Sequence, residues 1–199
     1  MACETALLLA VDVSNSVDMA EYRLQIDGMA DALSDGEVVD ALVQGRVAVS
    51  VMQWSGVGRQ EVSLPWTRVE SAEDAAELAL SARLLPRAFV LSDTAVGDAV
   101  RAAIPRFAEV GDCRRRVLDI SGDGPDNAGS DPRTAAALAA REGITINAIA
   151  IEGMGRAVSR FFERAVITPD GFVMTAQGHR DYPRAIRAKI LREVSAALF

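Results

Sequence analysis

The order of apolar runs along the chain predicts an α/β fold whose central sheet is mostly parallel and covered by helices on both faces. Three observations carry that expectation. Continuous apolar stretches of strand length recur, beginning with Ala6–Val11. Stretches with apolar residues at helical spacing lie between most of them, and Gly, Asp, Asn and Pro close the runs. The 199 residues suit a single domain, 1–199, with no internal repeat, low-complexity tract or linker. No apolar run approaches the roughly 18 residues that a membrane helix needs, so membrane insertion is not expected.

The elements follow in order. Ala6–Val11 ends at Asp12. Met19–Leu33 places Tyr22, Ile26, Met29, Ala30 and Leu33 on one helical face. Arg46–Trp54 reads as a second strand. Glu61–Val69 alternates Val62, Leu64 and Trp66 and suits an exposed edge, with Pro65 interrupting its ladder. Ser71 caps a helix to about Leu84, with Glu73 and Asp74 in its first turn. Thr94–Val110 is helical, and Pro105 should kink or divide it. Arg116–Ser121 is the next strand, closed by the loop Gly122-Asp123-Gly124-Pro125-Asp126-Asn127. Asp131-Pro132 starts a helix that ends at Glu142 before Gly143. Ile144–Ile151 is a strand, Met154–Ala165 a helix, Phe172–Thr175 a short strand and Tyr182–Leu198 the last helix.

The formal charge of −7, from 21 basic and 28 acidic residues, argues against nucleic acid as a partner. The dense basic run Arg114-Arg115-Arg116 abuts a strand and reads as its solvated entrance. His179, the only histidine, stands in a loop before the last helix and reads as a solvated residue. No GxSxG elbow, GxGxxG or P-loop is present.

In sheets of this kind ligands bind at the carboxyl ends of the strands. Three segments bring oxygen donors there. Asp12-Val13-Ser14-Asn15-Ser16 offers a carboxylate and two hydroxyls at alternate positions. Ser92-Asp93-Thr94 precedes a helix, and Asp123-Gly124 closes a strand. Hard oxygens of mixed charge suit Mg²⁺, Mn²⁺ or Ca²⁺ rather than zinc. Asp12 and Asp123 together would balance a divalent ion and leave room for an anionic ligand from a partner.

Asp12-x-Ser14-x-Ser16 at the end of an apolar first strand, Thr94 before a helix and Asp123-Gly124 after the fourth strand resemble the metal-ion-dependent adhesion site (MIDAS) of von Willebrand factor A-type (VWA) and integrin I domains. The resemblance covers about residues 5–195 and looks closest to uncharacterised secreted bacterial VWA-like proteins. It implies a three-layer, Rossmann-like fold with strand order 3-2-1-4-5-6 and one antiparallel edge. It also implies one divalent cation, Mg²⁺ first, held by Asp12, Ser14, Ser16, Thr94 and Asp123. The partner would be a protein that presents Asp or Glu to the metal, and the chain would be a monomeric binding module rather than an enzyme. Asp93, Asp126 and Asn127 are candidates for an outer shell, although the last two also suit an Asx-type turn.

Asp119 departs from the family's plain apolar fourth strand. It should be a structural pin with a hydrogen-bonded or cationic partner, such as an Arg. The implied strand order makes the first and fourth strands neighbours, so Cys3 and Cys113 would meet at the edge opposite the metal and form a disulfide. That points to a periplasmic or secreted protein. The chain opens Met1-Ala2-Cys3 with no signal peptide, which keeps a cytoplasmic location as the alternative.

Two other functions compete. One is a Mg²⁺-dependent phosphoryl-transfer enzyme with Asp12 as nucleophile. Haloacid-dehalogenase-like phosphatases need a second Asp two residues on, where this chain has Ser14, and a lysine near the later loops, where the only lysine is Lys189. The other is a structural subunit with a degenerate metal site.

Overall fold

The computed structural model describes residues 3–195. Six strands form one sheet: β1 (Thr5–Asp12), β2 (Ala48–Trp54), β3 (Gln60–Arg68), β4 (Arg115–Gly122), β5 (Ile144–Glu152) and β6 (Val173–Gln177). Their order is β3-β2-β1-β4-β5-β6. All neighbours run parallel except β3, which pairs antiparallel with β2 at the edge. The β2–β3 register slips around Val49 and Val51, opposite the stretch that holds Pro65. A proline cannot donate to the ladder, so an edge strand is where it is tolerated.

Side-chain alternation builds the three layers. Leu7, Leu9, Val11, Val49 and Val51 belong to one buried cluster with residues of α1 (Met19–Ser34), α2 (Gly36–Gly45), α3 (Ala72–Arg83) and α7 (Tyr182–Ser195). Ala6, Leu8, Ala10, Leu118 and Ile120 belong to a second cluster with α4 (Val96–Ala103), α5 (Pro132–Arg141) and α6 (Ala157–Ala165). β1 lies between both clusters, and every one of its residues is buried.

Local chemistry moves several boundaries away from the sequence expectation. No element is expected between Leu33 and Arg46, where the structure has α2. Asp35 caps it, accepting from the backbone N–H of Glu37 and Val38. It stops at Arg46, which adopts a left-handed conformation (φ 46°), so β2 starts at Ala48 rather than Arg46. Pro105 divides the expected long helix: α4 ends at Ala103 and a 3₁₀ segment, Ile104–Val110, continues from it. α6 starts at Ala157 instead of Met154, which is exposed. The last helix was expected to reach Leu198, and the residues after Ser195 lie outside the described part.

At the amino-terminal edge, Cys3 and Cys113 form a disulfide with a Cα–Cα distance of 4.5 Å. Backbone bonds from Arg114 to Cys3 (3.0 Å) and from Arg115 to Glu4 (2.9 Å) extend the β1–β4 ladder up to it. Closing a loop with a separation of 110 residues restricts the unfolded chain by about 5 kcal/mol in the chain-entropy view.

Asp119 projects from β4 toward α7. Its partner is a lysine and not an arginine. Lys189 Nζ lies 2.6 Å from Asp119 Oδ1 and 2.6 Å from Glu193 Oε1. Asn147 Nδ2 donates to the same Glu193 oxygen at 2.7 Å. Lys189, Asp119 and Glu193 are each at most 2% exposed. Burial raises the affinity of both carboxyls for a proton, taking Glu193 to about 7 against the pull of Lys189. The single ammonium thus lies between two buried carboxyls, and removing it would leave both without a counter-charge.

Candidate metal centre

The carboxyl ends of β1 and β4 are adjacent, which brings Asp12 and Asp123 to one edge. Asp12 is fully buried. Its Oδ1 accepts from the Ser14 backbone N–H at 2.7 Å, folding the chain so that Ser14 and Ser16 turn to the same side. Their hydroxyls are 3.1 Å apart, and Ser16 Oγ donates to Asp123 Oδ1 at 2.5 Å. Ser16 is free to do this because helix α1 is capped by Asp18, in a capping box with Glu21.

Three loops are stitched together here. The first meets the second where Asn15 N–H donates to Ser92 O at 2.9 Å. The Arg87 guanidinium clamps the first loop, donating to Val13 O (2.9 Å) and Ser14 O (2.8 Å). The second meets the third through paired bonds. Thr94 N–H donates to Asn127 Oδ1 at 2.9 Å, and Asn127 N–H donates back to Thr94 O at 3.0 Å. Asp126 Oδ1 accepts from Val96 N–H at 2.7 Å at the start of α4. Asp126 and Asn127 therefore brace the Thr94 loop. Thr94 itself is 7% exposed, and Asp93 is exposed beside it.

The donor set fits a divalent cation. Asp12 Oδ2 is buried and has no hydrogen-bond partner, a costly state unless a cation or proton meets it. Burial, and then the neighbouring charge of Asp123, push the Asp12 carboxyl up to about 7. Gly122 lets the β4 backbone pass close to that oxygen: a Cβ there would stand 3.3 Å from Asp12 Oδ2 and 3.1 Å from the Phe162 ring. Trp54 forms the floor beneath, fully buried, with Nε1 donating to Ala10 O at 3.3 Å. Among the described residues no three His, Cys, Asp or Glu side chains form a ready metal cluster. The structure brings Asp12, Ser14, Ser16 and Asp123 together, with the Thr94 loop braced alongside, and such oxygen donors have the chemistry of a hard ion.

His179 was read as a solvated loop residue, and the structure corrects this. Its side chain is 10% exposed and sits beside the site. Nδ1 is 3.2 Å from Glu21 Oε1 and Nε2 is 3.8 Å from Asp123 Oδ2. Sequence spacing gave no signal for it, because β6 and α7 bring it there from more than 50 residues beyond Asp123.

The same architecture recurs in solved structures. Proximal thread matrix protein 1 from the mussel byssus, with a zinc-occupied MIDAS motif, is 19% identical with a TM-score of 0.69, covering 97% of this chain and 46% of its own. The pilus adhesin SpaC from Lactobacillus rhamnosus GG is 13% identical at TM-score 0.69, covering 98% and 30%. A von Willebrand factor type A protein from Catenulispora acidiphila is 15% identical at TM-score 0.60, covering 98% and 43%. The chain thus spans less than half the length of these three proteins, and at such identities the likeness is one of fold, the VWA fold. No curated protein matches the chain. The family described as "Protein of unknown function (DUF1194)" matches residues 2–198, and the chain belongs to that family.

Proposed function

We propose that this chain is a metal-dependent binding module. Asp12, Ser14, Ser16, Thr94 and Asp123 hold one divalent cation, Mg²⁺ in preference to Mn²⁺ or Ca²⁺, and a protein partner completes its coordination with an Asp or Glu side chain. The buried, unpartnered Oδ2 of Asp12, on the loop whose Ser14 and Ser16 hydroxyls are in contact and reach Asp123 through Ser16, carries this reading. The zinc in the MIDAS motif of the mussel protein supports a divalent ion in general.

The surroundings favour a partner over a small substrate. Met19, at the start of α1, and Val57, Val90, Leu91 and Met154, on loops at the same edge, are each more than half exposed. Exposed apolar side chains gathered around polar groups mark interaction surfaces. Leu91 is held at φ 52°, an unusual conformation for a bulky residue, and lines an open cavity of about 420 Å³ with Asn15, Arg59 and Asp93. The disulfide supports an oxidising location, the periplasm or outside the cell. No helix among the described residues is long and apolar enough to cross a membrane. We read the chain as a monomer.

The enzyme reading is weaker. Ser14 stands where a phosphatase of this layout needs a second Asp, and Lys189 is committed to Asp119 and Glu193 beneath α7. Titration calorimetry with Mg²⁺, Mn²⁺ and Ca²⁺ tests the proposal. Heat and a raised melting temperature with at least one ion, both lost in Asp12→Ala, are expected. No heat and no thermal shift with any of the three would sink it. Mg²⁺-dependent phosphatase turnover that vanishes in Asp12→Asn would favour the enzyme instead.

A further inference from the structure

His179 and Asp123 face one another across a gap that a metal ion fits. Asp123 uses its two oxygens in different directions. Oδ1 accepts from Ser16 at the hydroxyl-lined centre, and Oδ2 points toward His179 Nε2, 3.8 Å away. Two ligands about 2.1 Å from a common ion stand that far apart at a bond angle of roughly 130°, well within what zinc accepts.

The imidazole is prepared for such a role. It is nine-tenths buried, and Nε2 is buried without a hydrogen-bond partner. Its other nitrogen, Nδ1, lies 3.2 Å from Glu21 Oε1. A proton on Nδ1 faces that carboxylate, which leaves the Nε2 lone pair directed at Asp123. Carboxylate–imidazole–metal chains have this arrangement, because the carboxylate fixes both tautomer and ring orientation. Glu21 is fixed in turn, since its Oε2 accepts from Asp18 N–H at 2.8 Å in the capping box of α1. Gly178, at φ 79°, makes the turn that delivers His179 from β6. A cavity of about 230 Å³ lined by Glu21, Asp123, Glu152, Gly153 and His179 leaves space for waters to complete the coordination.

We propose that His179 Nε2 and Asp123 Oδ2 form a second metal subsite, selective for a borderline transition ion such as Zn²⁺, with Asp123 bridging it to the hydroxyl-lined centre. A nitrogen ligand discriminates against Mg²⁺ and Ca²⁺, so the two positions take different ions. The subsite does not rest on the first ion being bound.

The test is a Zn²⁺ titration into the full chain, free of any histidine tag, disulfide intact and saturated with Mg²⁺. One further equivalent of Zn²⁺ is expected. Its affinity should fall at least tenfold in His179→Ala and in His179→Gln, and about tenfold in Glu21→Gln. His179 is the only histidine, so a Cu²⁺-loaded sample examined by pulsed electron paramagnetic resonance should show an imidazole nitrogen coupling that both His179 variants lack. Zn²⁺ uptake that is equal in the wild type and His179→Gln, or absent in a folded wild type, would overturn the subsite. Asp12→Ala separates the two readings: it should remove the Mg²⁺ event and leave Zn²⁺ binding in place.

Discussion

Asp12 and Asp119 stand on adjacent strands and are equally shut off from water, yet the chain treats them in opposite ways. Asp119 meets a cation supplied by its own chain, Lys189, and a second carboxyl, Glu193, that shares the balance. Asp12 has the Ser14 backbone N–H on one oxygen, while the other is buried without a hydrogen-bond partner and Asp123 adds a second negative charge nearby. A buried carboxylate needs a positive counterpart. Beneath α7 folding itself delivers it, and at the strand ends it must come from solution. The core cluster is therefore a device of stability, and the edge, on the proposed reading, is one of binding.

Breaking the core cluster should have the largest effect. Lys189→Met strands two buried carboxyls and should cost about 3–5 kcal/mol, read as a lowered urea midpoint. Replacing all three members with apolar residues should recover most of that loss.

At the edge the sign should invert. Asp12→Asn keeps the shape and removes an uncompensated charge, so the metal-free protein should gain on the order of 2 kcal/mol at neutral pH, while Mg²⁺ binding is abolished. Chemical denaturation in chelator measures the first effect and calorimetry the second. A metal-free Asp12→Asn less stable than the wild type would erase the contrast.

The pH dependence follows from the same residue. Folding raises the Asp12 carboxyl from 3.8 to about 7, so between those values the folded state holds a proton that the unfolded state has lost. Stability of the metal-free protein should thus fall as pH rises from about 4 to about 7 and level off above. Glu193 contributes in the same direction, so the Asp12 share is the part of the slope missing in Asp12→Asn. Saturating Mg²⁺ should cancel that share, because the ion takes the place of the proton.

The smallest effect is expected at the brace. Asn127→Ala removes the acceptor for Thr94 N–H and should weaken Mg²⁺ binding by about fivefold, near 1 kcal/mol, with little change in the melting temperature of the metal-free protein.

What could be read before folding divides along the same line. The strands were legible because parallel strands buried on both faces must be apolar throughout, and Asp12-x-Ser14-x-Ser16 stood out where such a run stops. The brace at Asp126 and Asn127 was half legible, since an Asx turn and a second-loop support use the same residues. Lys189 and His179 were not. One is a lysine within a helix, whose near partner Glu193 stands one turn on, and the other a histidine in a loop, and their links to Asp119 and Asp123 span 56 or more residues of sequence. α2 was not anticipated, although Asp35 offered a cap and Val38, Ala41 and Leu42 a buried face.

The disulfide at the far edge has a mechanical consequence. Tension entering at Cys3 passes at once into both β1 and β4, the strands that end at Asp12 and near Asp123. A pull against a partner held at the metal loads these two central strands in parallel, and β1 cannot peel away by itself. The 110-residue separation enclosed by the bond also stays locked if the domain yields, withholding on the order of 370 Å of contour length. Under load the molecule would behave as a short, stiff link, and reducing agent would turn it into a long, compliant one.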